Sequence, residues 1–130
     1  MDPRIKELSA LLTGYSCRLQ AGEKVLIDYE GEDTTPLVRQ LIKDAYQRGA
    51  RPYVNHRDSQ ILRELLLGAD EEQLTFLNDY QLYQMKGMDA YIAVRASSNT
   101  SELSDVPVEK LNLYEKLTTP TLDWRVNRTK

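Results

Sequence analysis

Ile5, Leu8, Leu11, Leu12 and Tyr15 recur at intervals of three and four. That spacing predicts an amphipathic helix from Asp2 or Pro3 to Leu19 with one buried stripe, ended by Ala21-Gly22. The period then shortens. Lys24–Tyr29, KVLIDY, is a brief aliphatic run and reads as a buried strand. EGEDTTP carries helix-start chemistry, with Thr34 or Thr35 to cap and Pro36 for the first turn. Leu37, Val38, Leu41, Ile42, Ala45 and Tyr46 mark the inward face of the helix that follows, and Gly49 supplies its stop. RPYVNH, Arg51–His56, is a second strand. Lys24 to His56 is therefore one β-α-β unit, of a length that suits a right-handed parallel crossover.

A helix over Ser59–Leu67 follows, with Ile61, Leu62, Leu65 and Leu66 inward and Gly68 as its stop. Asp70 then caps a helix that runs to Lys86, with Gln73 as its reciprocal partner, and Gly87 ends it. Met88–Val94, MDAYIAV, is a third strand. A small, polar stretch from Ala96 to Val106 leads to a helix near Val106–Leu117, whose stripe is Val108, Leu111, Tyr114 and Leu117. Val126–Lys130 has the character of an approach to a further strand. Strands alternating with helices predict a layered α/β domain with a small, mainly parallel sheet flanked by helices. Three strands leave one sheet edge unfinished. The whole span, 1–130, reads as a single domain.

Composition narrows the function classes. Lys and Arg number 17 against 20 Asp and Glu, and the net charge is −3. The basic residues are dispersed and form no phosphate-tracking stripe, so nucleic acid is excluded as the expected partner. No apolar run approaches membrane-spanning length, and MDPRIKELSALL lacks the apolar core of a secretory signal. The expected location is the cytoplasm, off the membrane. The lone Cys17 forms no internal disulfide, in keeping with a reducing compartment.

The chemistry on offer is sparse. A hydrolytic metal site needs several His, Asp, Glu or Cys ligands that converge on an open position. The chain has one histidine, His56, and neither HExxH nor paired CxxC. No catalytic and no metal-ligating residue is expected in these residues. His56 reads as a surface or interface residue, and Cys17 as a buried free thiol rather than a nucleophile beside His56 and Asp58. The first β-α turn, DYEGEDTTP, stands where a dinucleotide fold places its phosphate loop, but it has one glycine. Its Asp28, Glu30, Glu32 and Asp33 repel a pyrophosphate, and read as a solvated loop that completes a helix dipole. Asp70, Glu71 and Glu72 are explained by capping alone.

The polar loop is the remaining candidate. Ligands of an open parallel sheet sit beyond the carboxyl ends of its strands, and Arg95 to Glu102 begins at such an end. Polar loops of this length are uncommon without a role. Arg95, Asn99 and Glu102 are therefore the candidate residues for contact with a neighbouring domain or a cavity.

In order along the chain, GYSCRLQAGEKVLIDYE, TPLVRQLIKDAYQRGARPYV and QMKGMDAYIAVRASSNTSELSDVPVEK resemble the N-terminal domain of the thermophilic metallo-aminopeptidases of the aminopeptidase T and aminopeptidase S type. The resemblance spans nearly the whole chain. It implies an exopeptidase that removes N-terminal residues from peptides with two divalent metal ions, zinc, cobalt, manganese or magnesium. It also implies a homodimer that encloses its active sites in a cavity. In such enzymes the ligands lie in a C-terminal catalytic domain that these residues do not include. No metal is then expected in this chain, and its own C-terminal catalytic domain is its expected partner. The residues by themselves leave two alternatives open: a free-standing α/β module for a small ligand, and an oligomerisation module.

Overall fold

Val25, Leu26, Ile27 and Asp28 are buried in succession, because β1 (Lys24–Glu30) is the middle strand of the sheet. In this computed structural model, residues 3–95 are described; the polar loop beyond Arg95, the helix near Val106–Leu117 and the strand approach at Val126–Lys130 lie outside them. Among the described residues the sheet has three strands in the order β2-β1-β3, with β2 at Arg51–Arg57 and β3 at Ala90–Arg95. Both pairings are parallel, and Ile27 faces Val54 on one side and Ile92 on the other. The architecture is the layered α/β fold that the alternation of periods predicts.

The described chain falls into two compact units. The first holds the sheet together with α1 (Pro3–Leu11) and α2 (Thr35–Gln47). Strand alternation sends Val25 and Ile27 of β1 to the same side as Ala90, Ile92 and Val94 of β3. There they pack with Val38, Leu41 and Ala45 of α2 and with Cys17 and Leu19. Gly49 turns the chain from α2 into β2 at φ +78°, and its N–H donates to the Tyr46 carbonyl at 3.0 Å. A Cβ there would also press on Ala21 at 3.1 Å, so two constraints coincide at one glycine.

The N-terminal segment departs from its sequence reading. The regular helix stops at Leu11, and a π-helical turn occupies Leu12–Ser16. The extra residue rotates the register, so Cys17 and Leu19 reach the core. Leu8, Leu11 and Tyr15, expected in the buried stripe, are exposed. The buried positions are instead Ser9 and Thr13. Ser9 Oγ donates to Asp44 Oδ2 of α2 at 2.6 Å, and Thr13 Oγ1 donates to the Ser9 carbonyl at 2.9 Å. The helix pair is thus joined through small polar side chains, which a search for apolar periodicity passes over. Tyr46, expected on the inward face of α2, is likewise exposed. Thr34 does not cap α2 with its side chain; its hydroxyl donates to the Gly31 carbonyl at 2.6 Å.

The second unit, among the described residues, holds α3 (Ser59–Gly68) and α4 (Glu71–Lys86), joined at Ala69 and Asp70. Among the described residues its core includes Leu66, Ala69 and Leu74, backed by Leu62, Leu67 and Leu77. Ile61 and Leu65, expected inward, are exposed. Both helices start on aspartate caps. The Asp58 carboxylate accepts from the N–H groups of Gln60 at 2.8 Å and Ile61 at 3.3 Å, and Asp70 accepts from the Gln73 N–H at 2.8 Å. The Asp70 cap is legible in the sequence.

Candidate functional site

The sheet face opposite the α2 core carries a buried carboxylate. Leu26, Asp28 and Glu30 of β1, Tyr53, Asn55 and Arg57 of β2, and Tyr91, Ala93 and Arg95 of β3 share it through strand alternation and register. Asp28 is 1% exposed. Arg57 Nε donates to both of its oxygens, at 2.6 and 2.7 Å, and the Tyr91 hydroxyl donates to Oδ2 at 2.9 Å. The carboxylate is thus held from both neighbouring strands. Arg57 lies two residues toward the carboxyl end of the sheet, and Tyr91 two toward the amino end. A charge so deep requires such partners, since an uncompensated buried carboxylate is strongly unfavourable.

This corrects the reading of Asp28 as part of a solvated acidic loop: it is an interior strand residue, bonded and ion-paired. The other acids of that turn divide. Glu30 pairs with Arg95 at 3.4 Å, while Glu32 and Asp33 stay exposed in a 3-10 turn. Arg95, the described member of the candidate loop trio, is therefore an exposed strand-end residue facing Glu30. Asn99 and Glu102 lie outside the described residues. His56 is exposed at the end of β2 and stacks on Tyr29, with ring centroids 4.7 Å apart and planes 9° from parallel. Cys17 is buried in the core. His56, Cys17 and Asp58 are not brought together by any contact found among the described residues.

Two concavities lie among the described residues. A cleft of about 510 Å³ beside α3 and α4 has Leu65, Asp70, Phe76, Leu77 and Tyr80 in its lining. Its one capping carboxylate, Asp70, already serves α4. A groove of about 360 Å³ between α1 and α2 is polar, with Lys6, Gln40, Asp44 and Arg48. There Gln40 donates to Asp44 at 3.0 Å, and Arg48 Nε donates to the Leu19 carbonyl at 3.0 Å. Among the described residues, no three His, Cys, Asp or Glu side chains converge on a point that suits a metal ion. Nor is any described helix long and apolar enough to cross a membrane.

The geometry of the described sheet thus offers a braced strand face. Comparison with known proteins gives this arrangement its setting. The model of the thermophilic metalloprotease (M29) family matches residues 1–130. No curated protein matches the chain. Among solved structures, the chain is similar to wild-type AmpT from Thermus thermophilus, with 24% sequence identity and a TM-score of 0.68. The match covers 94% of this chain and 32% of that one, so the chain spans about a third of the solved relative's length. At that identity the likeness bears on the fold, and the family model, matched from the first residue to the last, bears on kinship. The chain belongs to the thermophilic metalloprotease (M29) family.

Proposed function

We propose that residues 1–130 are the non-catalytic N-terminal domain of a metal-dependent aminopeptidase, which hydrolyses N-terminal residues from peptides in the cytoplasm. The observation that carries this reading is a mismatch: a metalloprotease family model spans the chain, yet its described residues do not fit a metal ion. One histidine and one cysteine in the whole sequence agree with that. The divalent metals belong, on this reading, to a C-terminal catalytic domain in the part of the protein that these residues do not span. The ratio of lengths, 32% of the solved relative, leaves room for such a domain.

The role of the domain is then architectural: it walls the peptide cavity, packs on its catalytic partner and supports a homodimer. Leu8, Leu11 and Tyr15 form an exposed apolar ridge on the N-terminal segment, of the kind that domain packing covers. The loop that starts at Arg95 faces the catalytic domain or the cavity mouth. In the longer enzyme, joint replacement of Arg95, Asn99 and Glu102 by alanine is expected to lower kcat/KM about tenfold or to disturb assembly. Peptidase kinetics and particle mass both unchanged would remove the loop from this role.

The central claim is tested on the 130-residue chain. Incubated with aminoacyl substrates and Zn²⁺, Co²⁺ or Mn²⁺, it is expected to show no turnover, and elemental analysis no stoichiometric metal. Turnover with bound metal would overturn the proposal.

A further inference from the structure

Asp44 and Arg48 stand one helical turn apart at the end of α2, where the Arg48 N–H donates to the Asp44 carbonyl at 3.2 Å. An acid and an arginine at that spacing ordinarily pair. Here their side chains turn to other partners. The Asp44 carboxylate accepts from Ser9 Oγ at 2.6 Å and from Gln40 Nε2 at 3.0 Å, one bond on each oxygen. Arg48 Nε donates to the Leu19 carbonyl at 3.0 Å. Its Nη1 lies over Gly14, where an added Cβ would stand 3.2 Å away. Neither Asp44 nor Arg48 joins an ion pair among the described residues, and nor does Lys6 in the same groove.

We propose that the groove between α1 and α2 binds a free α-amino acid as its zwitterion. Asp44 and Arg48, each fixed by neutral partners, both line a space of about 360 Å³. That volume lies at the low end of ligand pockets, which span roughly 300–1,000 Å³. The Arg48 terminal nitrogens and the Lys6 ammonium offer charged donors to a carboxylate. Each Asp44 oxygen keeps acceptor capacity for an ammonium, since a carboxylate has about four lone-pair sites. A lone anion meets Asp44 as a like charge, and a lone cation meets Lys6 and Arg48. A molecule that carries both charges satisfies both sides. The separation of one helical turn suits charged groups on a single carbon better than the two ends of an extended peptide. Ala10 and Gln47 in the lining suit a small or polar side chain. A free amino acid is also what the peptidase proposed above releases; that link rests on that reading, and the binding does not.

Titration of L-alanine into the isotope-labelled chain, followed by NMR, tests the site. Propionate, L-alaninamide and inorganic phosphate serve as probes with one kind of charge. L-Alanine is expected to saturate one site with a Kd of about 1 mM, read from the amide shifts of Lys6, Gly14, Gln47 and Arg48. The three other probes are expected to bind about tenfold or more weakly. Asp44→Asn and Arg48→Met each remove one charge, and each is expected to weaken L-alanine about tenfold. Gly14→Ala keeps every charge but displaces the guanidinium, and is expected to weaken binding with Tm unchanged. Should an α2 variant fail to fold, Lys6→Met at an exposed position replaces it, with weaker binding again expected. No saturation at about fifty times that concentration overturns the proposal. So do shifts confined to other residues, propionate or phosphate binding as tightly as L-alanine, or variants that bind it unchanged.

Discussion

Replacement of Arg57 by alanine is expected to cost the fold about 3 kcal/mol, measured as the shift in urea midpoint at constant slope. The argument starts from Asp28, which is 1% exposed and receives Arg57 Nε on both oxygens. Truncation of the arginine leaves a carboxylate in the interior with the Tyr91 hydroxyl as its remaining donor in that trio. The cost is the desolvation of a charge that has lost its counter-charge, and it exceeds what the pair itself contributes to stability. That distinction has a consequence. Joint replacement, Asp28→Asn with Arg57→Met, removes both charges and is expected to cost less than Arg57→Ala alone. The coupling is read from the double-mutant cycle. Against a typical stability of 5–15 kcal/mol, a loss of about 3 is large enough to measure cleanly. A loss below about 1 kcal/mol would mean that water or another cation reaches Asp28 in the folded chain.

The same cluster marks where sequence reasoning stopped. Asp28 sits in KVLIDYE, and its neighbours Glu30, Glu32 and Asp33 pull the eye toward a solvated turn. Nothing local distinguishes a strand carboxylate that will be buried from one that will not. The distinction comes from Arg57 and Tyr91, which are 29 and 63 positions away and meet Asp28 only through the strand order. Long-range pairing of this kind has no periodic signature. By contrast, the elements themselves are local: the aliphatic run of β1, Pro36 near the start of α2, the Gly49 turn and the Asp70 cap are each written in a few adjacent residues, and each appears where those residues place it.

The family was legible for a different reason. Its signal lies in the order of several short segments rather than in any reactive constellation. On the proposed reading, a domain that walls a cavity has no need of paired acids or metal ligands. Asp28, Arg57 and Tyr91 join the three strands of the described sheet. Their chemistry is ordinary, and only the fold brings them together.

Leu41 and Leu11 both satisfy the apolar period of their helices, yet their truncations are expected to differ by about 3 kcal/mol. Leu41 is fully buried on α2 and packs in the cluster with Val25, Ile27 and Ile92. Leu41→Ala removes that packing and leaves a cavity, a combination that costs about 3 kcal/mol. Leu11 is 52% exposed. It lies at the last position of α1, where the π-helical turn takes over and the register shifts. Leu11→Ala is therefore expected to change stability by less than about 0.5 kcal/mol. Thermal and urea unfolding of the two variants side by side make the comparison. A large loss at Leu11 would return the N-terminal segment to the single buried stripe that its spacing predicts, and would mean that Ser9 and Thr13 do not form the joint with α2. A small loss at Leu11 with a large loss at Leu41 assigns the N-terminal ridge to surface that stability does not require. Such apolar surface persists where it serves a contact outside the chain.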